Sequence, residues 1–205
     1  MRESFKETNF DGISYLCPTW EQMGEVSFEL SKQINDSGQE FDRLIALAKG
    51  GWTWARTTVD NLNIKNLSSM RLRSYGGVNS NGKVEIIQPL PDSINGERVL
   101  IFDDVADSGE TLKLAREYME IMGANDIKIA TLCFKPRSSV VPDFYGFETK
   151  AWVVFPHEHR EFIVESSTRW SSKGVSNKEI KIRLEEIGLP ENHVAYFMTR
   201  AGFFI

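Results

Sequence analysis

The sequence has little of what several large classes of protein require. Only two of its 205 residues are cysteine, Cys17 and Cys133, and their spacing is neither metal-binding nor redox-active, so a disulfide scaffold is excluded and a reducing compartment is expected. No apolar run approaches the roughly 18 residues of a membrane-spanning helix, and residues 1–18 lack the apolar core of a secretory signal. We therefore expect a cytoplasmic protein with no membrane partner.

Negative charge outnumbers positive charge in this sequence. Lys and Arg together number 24, against 29 Asp and Glu, which gives a formal net charge of -5. Because no global basic field is present to attract phosphate backbones, we expect no nucleic-acid partner. The hydrophobic share of 41% and the charged share of 26% are those of an ordinary globular domain.

Short apolar runs alternate with amphipathic segments along the chain. The runs at 41–48, 99–102 and 127–134 are typical of buried strands, and the first two are followed by segments with helical spacing at 52–62 and 110–122. This order predicts an α/β fold with a central, mostly parallel sheet flanked by helices. In the C-terminal part, 159–161 is expected to be a solvated charged stretch, and the aromatic tail 196–205 to pack on the domain or in an interface.

The most informative segment runs from Val99 to Leu112 and reads VLIFDDVADSGETL. Its strand ends in Asp103 and Asp104, which cannot both be buried as isolated charges and must face solvent, a cation or a polyol. Residues 108–111 can turn backbone N–H groups and two hydroxyls toward one point, an anion cradle at a helix N-terminus. Two acids alone would favour a solvated turn. The cradle beside them, at the carboxyl end of a buried strand, favours a sugar-phosphate site.

This segment resembles the phosphoribosyl pyrophosphate (PRPP) motif of the type I phosphoribosyltransferases, and the likeness extends over roughly residues 41–158. The resemblance implies that family's α/β fold, with a small hood within 1–158 and a C-terminal helical extension at 159–205. It implies that Asp103 and Asp104 hold the ribose hydroxyls and, together with Glu158, the cofactor Mg²⁺, an ion that prefers hard oxygen ligands. The 5'-phosphate would be held by the loop that contains Asp107, Ser108, Gly109, Glu110 and Thr111.

Two further segments resemble other parts of this family's site. The segment Lys49, Gly50 and Gly51 stands where the family has its pyrophosphate loop, in which a cis peptide bond precedes the lysine; the corresponding bond here joins Ala48 to Lys49. Ser74 and Tyr75 resemble the pair in a mobile loop that closes over the reacting sugar, and the resemblance gives Lys49 and Tyr75 catalytic roles. Each segment has a plain alternative, because Lys-Gly-Gly is usually a turn and 71–77 fits a β-hairpin equally well.

The resemblance also implies a purine acceptor. Asp107 resembles the carboxylate that handles the N7 proton of the base, and Lys135 resembles the lysine that contacts a 6-oxo group. Trp152 and Val153 resemble the residues that stack on the purine and read its edge, although Trp152 by itself fits a core aromatic. His157 departs from the family's usual aromatic residue. A lysine at position 135 would reject adenine, which offers a donor where the 6-oxo group would be.

The resemblance thus implies a purine salvage enzyme, expected to be a dimer or tetramer, that transfers 5-phosphoribose from PRPP to N9 of hypoxanthine, guanine or xanthine. Adenine and orotate are the alternative acceptors within the same chemistry. From another class, the alternative is a PRPP-sensing regulator of transcription or RNA. The acidic net charge disfavours that alternative.

Overall fold

The computed structural model describes residues 5–74 and 84–204, with Ser74 described by its backbone alone. The chain divides into two compact units, one formed by Met1–Gln22 with Lys150–Ile205 and the other by Met23–Thr149. We call them the terminal unit and the sheet unit. The predicted division of the chain after residue 158 stays a prediction. Among the described residues, no helix is long and apolar enough to cross a membrane.

Strands and helices alternate through most of the chain. In chain order the elements are β1 (Glu7–Phe10), β2 (Ile13–Leu16), α1 (Trp20–Asp36), β3 (Arg43–Ala48), α2 (Gly50–Asn61), β4 (Asn66–Ser74), β5 (Val84–Gln88), β6 (Arg98–Ala106), α3 (Glu110–Ile121), β7 (Asp126–Phe134), β8 (Phe144–Glu148), β9 (Trp152–Val153), α4 (His159–Ser172), α5 (Asn177–Ile187) and α6 (Glu191–Arg200).

The sheet unit is built on six strands in the order β5-β4-β3-β6-β7-β8. The β4–β5 pair is antiparallel, and the other neighbouring pairs are parallel. The unalternating apolar runs form the central strands, since Leu44–Leu47 and Val99–Phe102 are almost completely buried. Arg43 lies opposite Val99 and Ala46 opposite Phe102, so β3 and β6 end beside each other. This register brings the loops that follow the two strands to one edge of the sheet.

The terminal unit contains a three-stranded sheet in the order β1-β2-β9 and the helices α4, α5 and α6. These elements correspond to the predicted hood and helical extension. The β1–β2 hairpin turns at Asp11 and Gly12, with positive φ angles of 53° and 79°. Asp-Gly is a strong sequence signal for such a two-residue turn, so this hairpin was predictable.

The helices of the terminal unit enclose a core of buried apolar side chains, among them Trp170, Leu184 and Val194. From the aromatic tail, Phe197 and Phe203 pack against this core, whereas Tyr196 and Phe204 are exposed. The tail is therefore only partly buried by its own chain.

His159 is buried at the start of α4, so the expectation of a solvated stretch at 159–161 was wrong for this residue. Its Nδ1 atom lies 3.1 Å from Nδ1 of His193 in α6, and its Nε2 atom lies 3.9 Å from Sγ of Cys17. Burial, followed by the charges of His193 and His157, lowers the pKa of His159 to about 4. The fold thus holds an imidazole that resists protonation.

This imidazole makes stability dependent on pH. The unfolded chain protonates His159 near pH 6.5 and the folded chain only near 4, so the free energy of unfolding falls as the pH falls through this window. Between about pH 7 and 5 we expect the wild type to lose about 2 kcal/mol more than His159→Gln does, measured by urea denaturation at both pH values. An equal loss in the two proteins would contradict the prediction.

Candidate functional site

The loop between β3 and α2 contacts the acidic end of β6. The backbone N–H of Gly51 donates a hydrogen bond to Oδ1 of Asp103 at 3.1 Å, and the N–H of Asp104 donates to the same oxygen at 3.0 Å. The peptide bond between Ala48 and Lys49 is cis, as the family resemblance implies. Two segments 52 residues apart in sequence are therefore joined at the sheet edge.

Two glycines make this approach possible. A Cβ atom at Gly50 would overlap the carboxylate of Asp104. At Gly51 it would lie 2.5 Å from the carbonyl oxygen of Phe102 and 2.8 Å from Cα of Asp103. Since real Cβ atoms do not come so close to backbone, α2 can begin against β6 only with glycine here. Gly51, the last residue of the Lys-Gly-Gly segment predicted to be the pyrophosphate loop, is thus part of the site.

The carboxylates of Asp103 and Asp104 lie close together and repel each other. Asp104 is buried and Asp103 is partly buried. Burial, and then the charge of Asp104, raise the pKa of Asp103 well above its usual value of 3.8, although hydrogen bonds from the N–H groups of Asp104 and Gly51 oppose the shift. A cation or hydroxyl donors placed at this pair would relieve the repulsion. The hard oxygen donors therefore suit an ion such as Mg²⁺.

The predicted anion cradle lies at the start of α3. Gly109 precedes the helix with a positive φ of 87°, and Oγ of Ser108 accepts from the N–H of Glu110 at 3.4 Å. The loop after β7 packs against this turn, because both the N–H and the hydroxyl of Ser139 donate to the carbonyl of Ser108 at 2.9 Å. A Cβ at Gly109 would lie 2.7 Å from Oγ of Ser138 and of Ser139. An α-helix leaves the N–H groups of its first turn without carbonyl partners inside the helix, so the start of α3 suits an anion.

Asp107 lies between two basic side chains. The Arg137 guanidinium donates to both carboxylate oxygens, with distances of 2.8 Å and 2.5 Å to Oδ1 and 2.7 Å to Oδ2. Nζ of the buried Lys135 lies 3.4 Å from Oδ1. The structure thus brings the predicted Asp107 and Lys135 together and adds Arg137. Arg137 was not among the predicted site residues, although its position two residues after Lys135, beyond the carboxyl end of β7, could have indicated it.

Three of the predicted residues, Trp152, Val153 and Glu158, belong to the terminal unit. Trp152 and Val153 form β9 in the terminal unit, where they pair with β2; Trp152 is half-buried and Val153 is buried. Glu158 immediately precedes α4 in the same unit. Tyr75 lies outside the described residues, as does the side chain of Ser74 at the end of β4. The functional roles of these residues stay predictions.

Comparison with known proteins decides the family. Residues 19–161 match the family model described as the phosphoribosyl transferase domain. The chain belongs to the phosphoribosyltransferase family. The predicted resemblance is thereby confirmed, and so is the α/β fold with a mostly parallel sheet.

Relatives of this phosphoribosyltransferase chain are named for purine substrates. The hypoxanthine-guanine phosphoribosyltransferase of Bacillus subtilis is 33% identical over 129 residues, which are 60% of this chain and 70% of that protein. The protein of that name from Lactococcus lactis is 42% identical over 82 residues, 38% of this chain and 44% of its own length. The chain therefore spans less than half of the latter relative.

A solved structure is similar over a larger share. The purine phosphoribosyltransferase from Pyrococcus horikoshii is 35% identical with a TM-score of 0.63, and the match covers 69% of this chain and 92% of that one.

Proposed function

We propose that this chain is a purine phosphoribosyltransferase that transfers 5-phosphoribose from PRPP to N9 of a 6-oxopurine. One observation carries the proposal. Asp107 lies 3.4 Å from Lys135 at the loop that begins the anion cradle, so a proton acceptor and a donor for a 6-oxo group stand together beside a phosphate site. The purine names of the relatives support the same substrate class.

The sheet unit would bind PRPP through three groups. The first turn of α3 donates backbone N–H groups to the 5'-phosphate, and Asp103 and Asp104 accept from the ribose hydroxyls. Lys49, exposed at the start of α2, places a positive charge toward the pyrophosphate. The pair Ser74 and Tyr75 completes the proposal as part of a loop that closes over the sugar and excludes water.

Transfer requires one bond to break and one to form. The bond between C1 of the ribose and the pyrophosphate oxygen breaks, N9 of the base bonds to C1, and the electron pair leaves with pyrophosphate. The proton on N7 passes to the carboxylate of Asp107 and from there to solvent. Lys135 donates to the 6-oxo group, while Trp152 and Val153 are proposed to hold the purine ring.

Mg²⁺ fits the acid pair of the sheet unit. Asp103 and Asp104 offer hard oxygen ligands, and their mutual repulsion favours a cation. Glu158 is proposed as a further ligand. When bound, the ion would neutralise charge on the pyrophosphate. We also propose a cytoplasmic homo-oligomer, a dimer or tetramer, and the two free cysteines are compatible with a reducing compartment.

The decisive experiment measures nucleotide formation. The protein is incubated with PRPP, Mg²⁺ and each of hypoxanthine, guanine, xanthine, adenine and orotate, and the nucleotide is quantified by chromatography. We expect turnover with at least one 6-oxopurine and little with adenine or orotate. Binding of PRPP without turnover of any base would overturn the enzymatic proposal and favour a PRPP sensor.

Lys135→Gln tests the base selectivity. The ammonium donates to a 6-oxo group and opposes a 6-amino group, whereas glutamine can satisfy either. We expect the preference for hypoxanthine over adenine in kcat/KM to fall by about 10- to 100-fold. Lys113→Gln, a change at an exposed lysine on α3, is the control and should leave the preference as in the wild type. An unchanged preference in Lys135→Gln would place the base pocket elsewhere.

A further inference from the structure

We propose that Arg137 is a positioning residue whose guanidinium orients the Asp107 carboxylate for its transfer of the base proton. The proposal rests on the proposed function and adds a residue that binds neither PRPP nor the base in the scheme above. Two observations support it: the contacts that Arg137 makes with Asp107, and the backbone hydrogen bonds that hold the loop of Arg137 in place.

Two nitrogen atoms of the Arg137 guanidinium donate hydrogen bonds to the Asp107 carboxylate in a forked arrangement. Nη2 contacts both oxygens of Asp107, at 2.5 Å and 2.7 Å, and Nε contacts Oδ1 at 2.8 Å. A planar fork on both oxygens fixes the plane of the carboxylate as well as its position, which a single point charge cannot do. Lys135 adds its ammonium to Oδ1 at 3.4 Å. The carboxylate therefore has a defined orientation at the cradle.

Backbone hydrogen bonds hold the loop that carries Arg137 beside Asp107. The N–H of Lys135 donates to the carbonyl of Ala106 at 3.0 Å, and the N–H of Ser139 donates to the carbonyl of Ser108 at 2.9 Å. Ala106 and Ser108, which flank Asp107, are thus hydrogen-bonded to Lys135 and Ser139. These two partners stand two residues before and two residues after Arg137. Register across β6 and β7 supports the same alignment, since Ala106 lies opposite Phe134. The loop 135–139 is consequently fastened at both ends across Asp107.

Stability alone does not account for this pair. The side chains of Arg137 and Asp107 are 57% and 40% exposed, and an ion pair with this exposure contributes little to folding. The loop has other anchors, because Ser139 also donates through its hydroxyl to Ser108 and Ser138 donates to the carbonyl of Val140. Loss of the guanidinium should therefore leave the loop and the phosphate cradle in place. What it removes is the constraint on the carboxylate.

Removal of the Arg137 guanidinium should lower kcat and leave the affinity for PRPP unchanged. A carboxylate free to rotate spends less time aligned with N7, and misplacement of a catalytic group lowers the rate. We expect Arg137→Gln to lower kcat by about 10-fold with the Kd for PRPP within about 2-fold. Arg137→Lys, which retains the charge but loses the fork, should recover part of kcat.

The test is a double-mutant cycle with Asp107→Asn. If Arg137 acts through the Asp107 carboxylate, Arg137→Gln should cause no further loss of kcat once position 107 is Asn. Four proteins, the wild type, the two single variants and the double variant, are compared by kcat and KM for hypoxanthine and by calorimetric Kd for PRPP. Arg56→Gln is the matched control, because Arg56 also pairs with an exposed aspartate, Asp60 at 2.8 Å, on the surface of α2.

The possible results separate a failure of the Arg137 proposal from a failure of the proposed function. Equal fold-losses from Arg137→Gln in the wild-type and Asp107→Asn backgrounds would overturn the proposal, and so would a loss of PRPP affinity, which would place the guanidinium on substrate. An unchanged kcat in Arg137→Gln overturns the proposal and leaves the proposed function standing. A wild-type protein that turns over no base overturns both. Arg56→Gln should match the wild type throughout.

Discussion

Gly51→Ala is expected to cost about 3 kcal/mol or more of unfolding free energy and to abolish measurable PRPP binding. The added Cβ would lie 2.5 Å from the carbonyl oxygen of Phe102 and 2.8 Å from Cα of Asp103. Both atoms are backbone of the buried central strand β6, so neither can rotate away as a side chain could. Relief requires α2 to move from β6, which also breaks the hydrogen bond from the Gly51 N–H to Asp103.

A second glycine provides the control. Gly24, within helix α1, has no atom within 4 Å of an added Cβ, so Gly24→Ala should raise stability by roughly 0.5–1 kcal/mol through helix propensity. Urea denaturation measures stability in both variants, and titration calorimetry measures PRPP binding. A Gly51→Ala protein with wild-type stability and PRPP affinity would show that close contact between α2 and β6 is unnecessary.

Asp107→Asn should reduce kcat by about 100- to 10,000-fold while changing the Kd for PRPP by no more than about 3-fold. The amide has nearly the shape of the carboxylate but cannot accept the proton that leaves the base. The cradle stays intact, because it is built from backbone groups of α3 and from the Ser139 contacts to Ser108. The loss therefore falls on the chemical step.

Asp143 offers a closely matched control for the loss of a paired charge. Its carboxylate lies 3.4 Å from Nη2 of Arg116 and 3.5 Å from Nζ of Lys128, much as Asp107 lies between an arginine and a lysine. Asp143→Asn should keep the wild-type kcat. Steady-state kinetics and PRPP calorimetry compare the two variants. Parallel losses of turnover and PRPP affinity in Asp107→Asn would make the role of this residue structural.

Much of the sheet unit was predictable because its signals are local. The unalternating apolar runs that became β3 and β6 indicate strands buried on both faces, whatever their neighbours are. The acids and the predicted cradle follow within the next nine residues of the chain, so 99–112 predicts a sugar-phosphate site from one continuous segment. The family resemblance depends on the same segment, and the match over residues 19–161 confirms it.

By itself, then, the sequence determined the strand, the acid pair and the cradle, because periodicity and turn chemistry act between near neighbours. Only the tertiary structure decided which distant groups meet. Strand order and register placed Arg137 and Lys135 on Asp107, set Gly51 against the backbone of β6, and buried His159 beside His193. Such contacts depend on how separate elements pack, and a local pattern specifies which face of an element is buried but not which side chain it will meet.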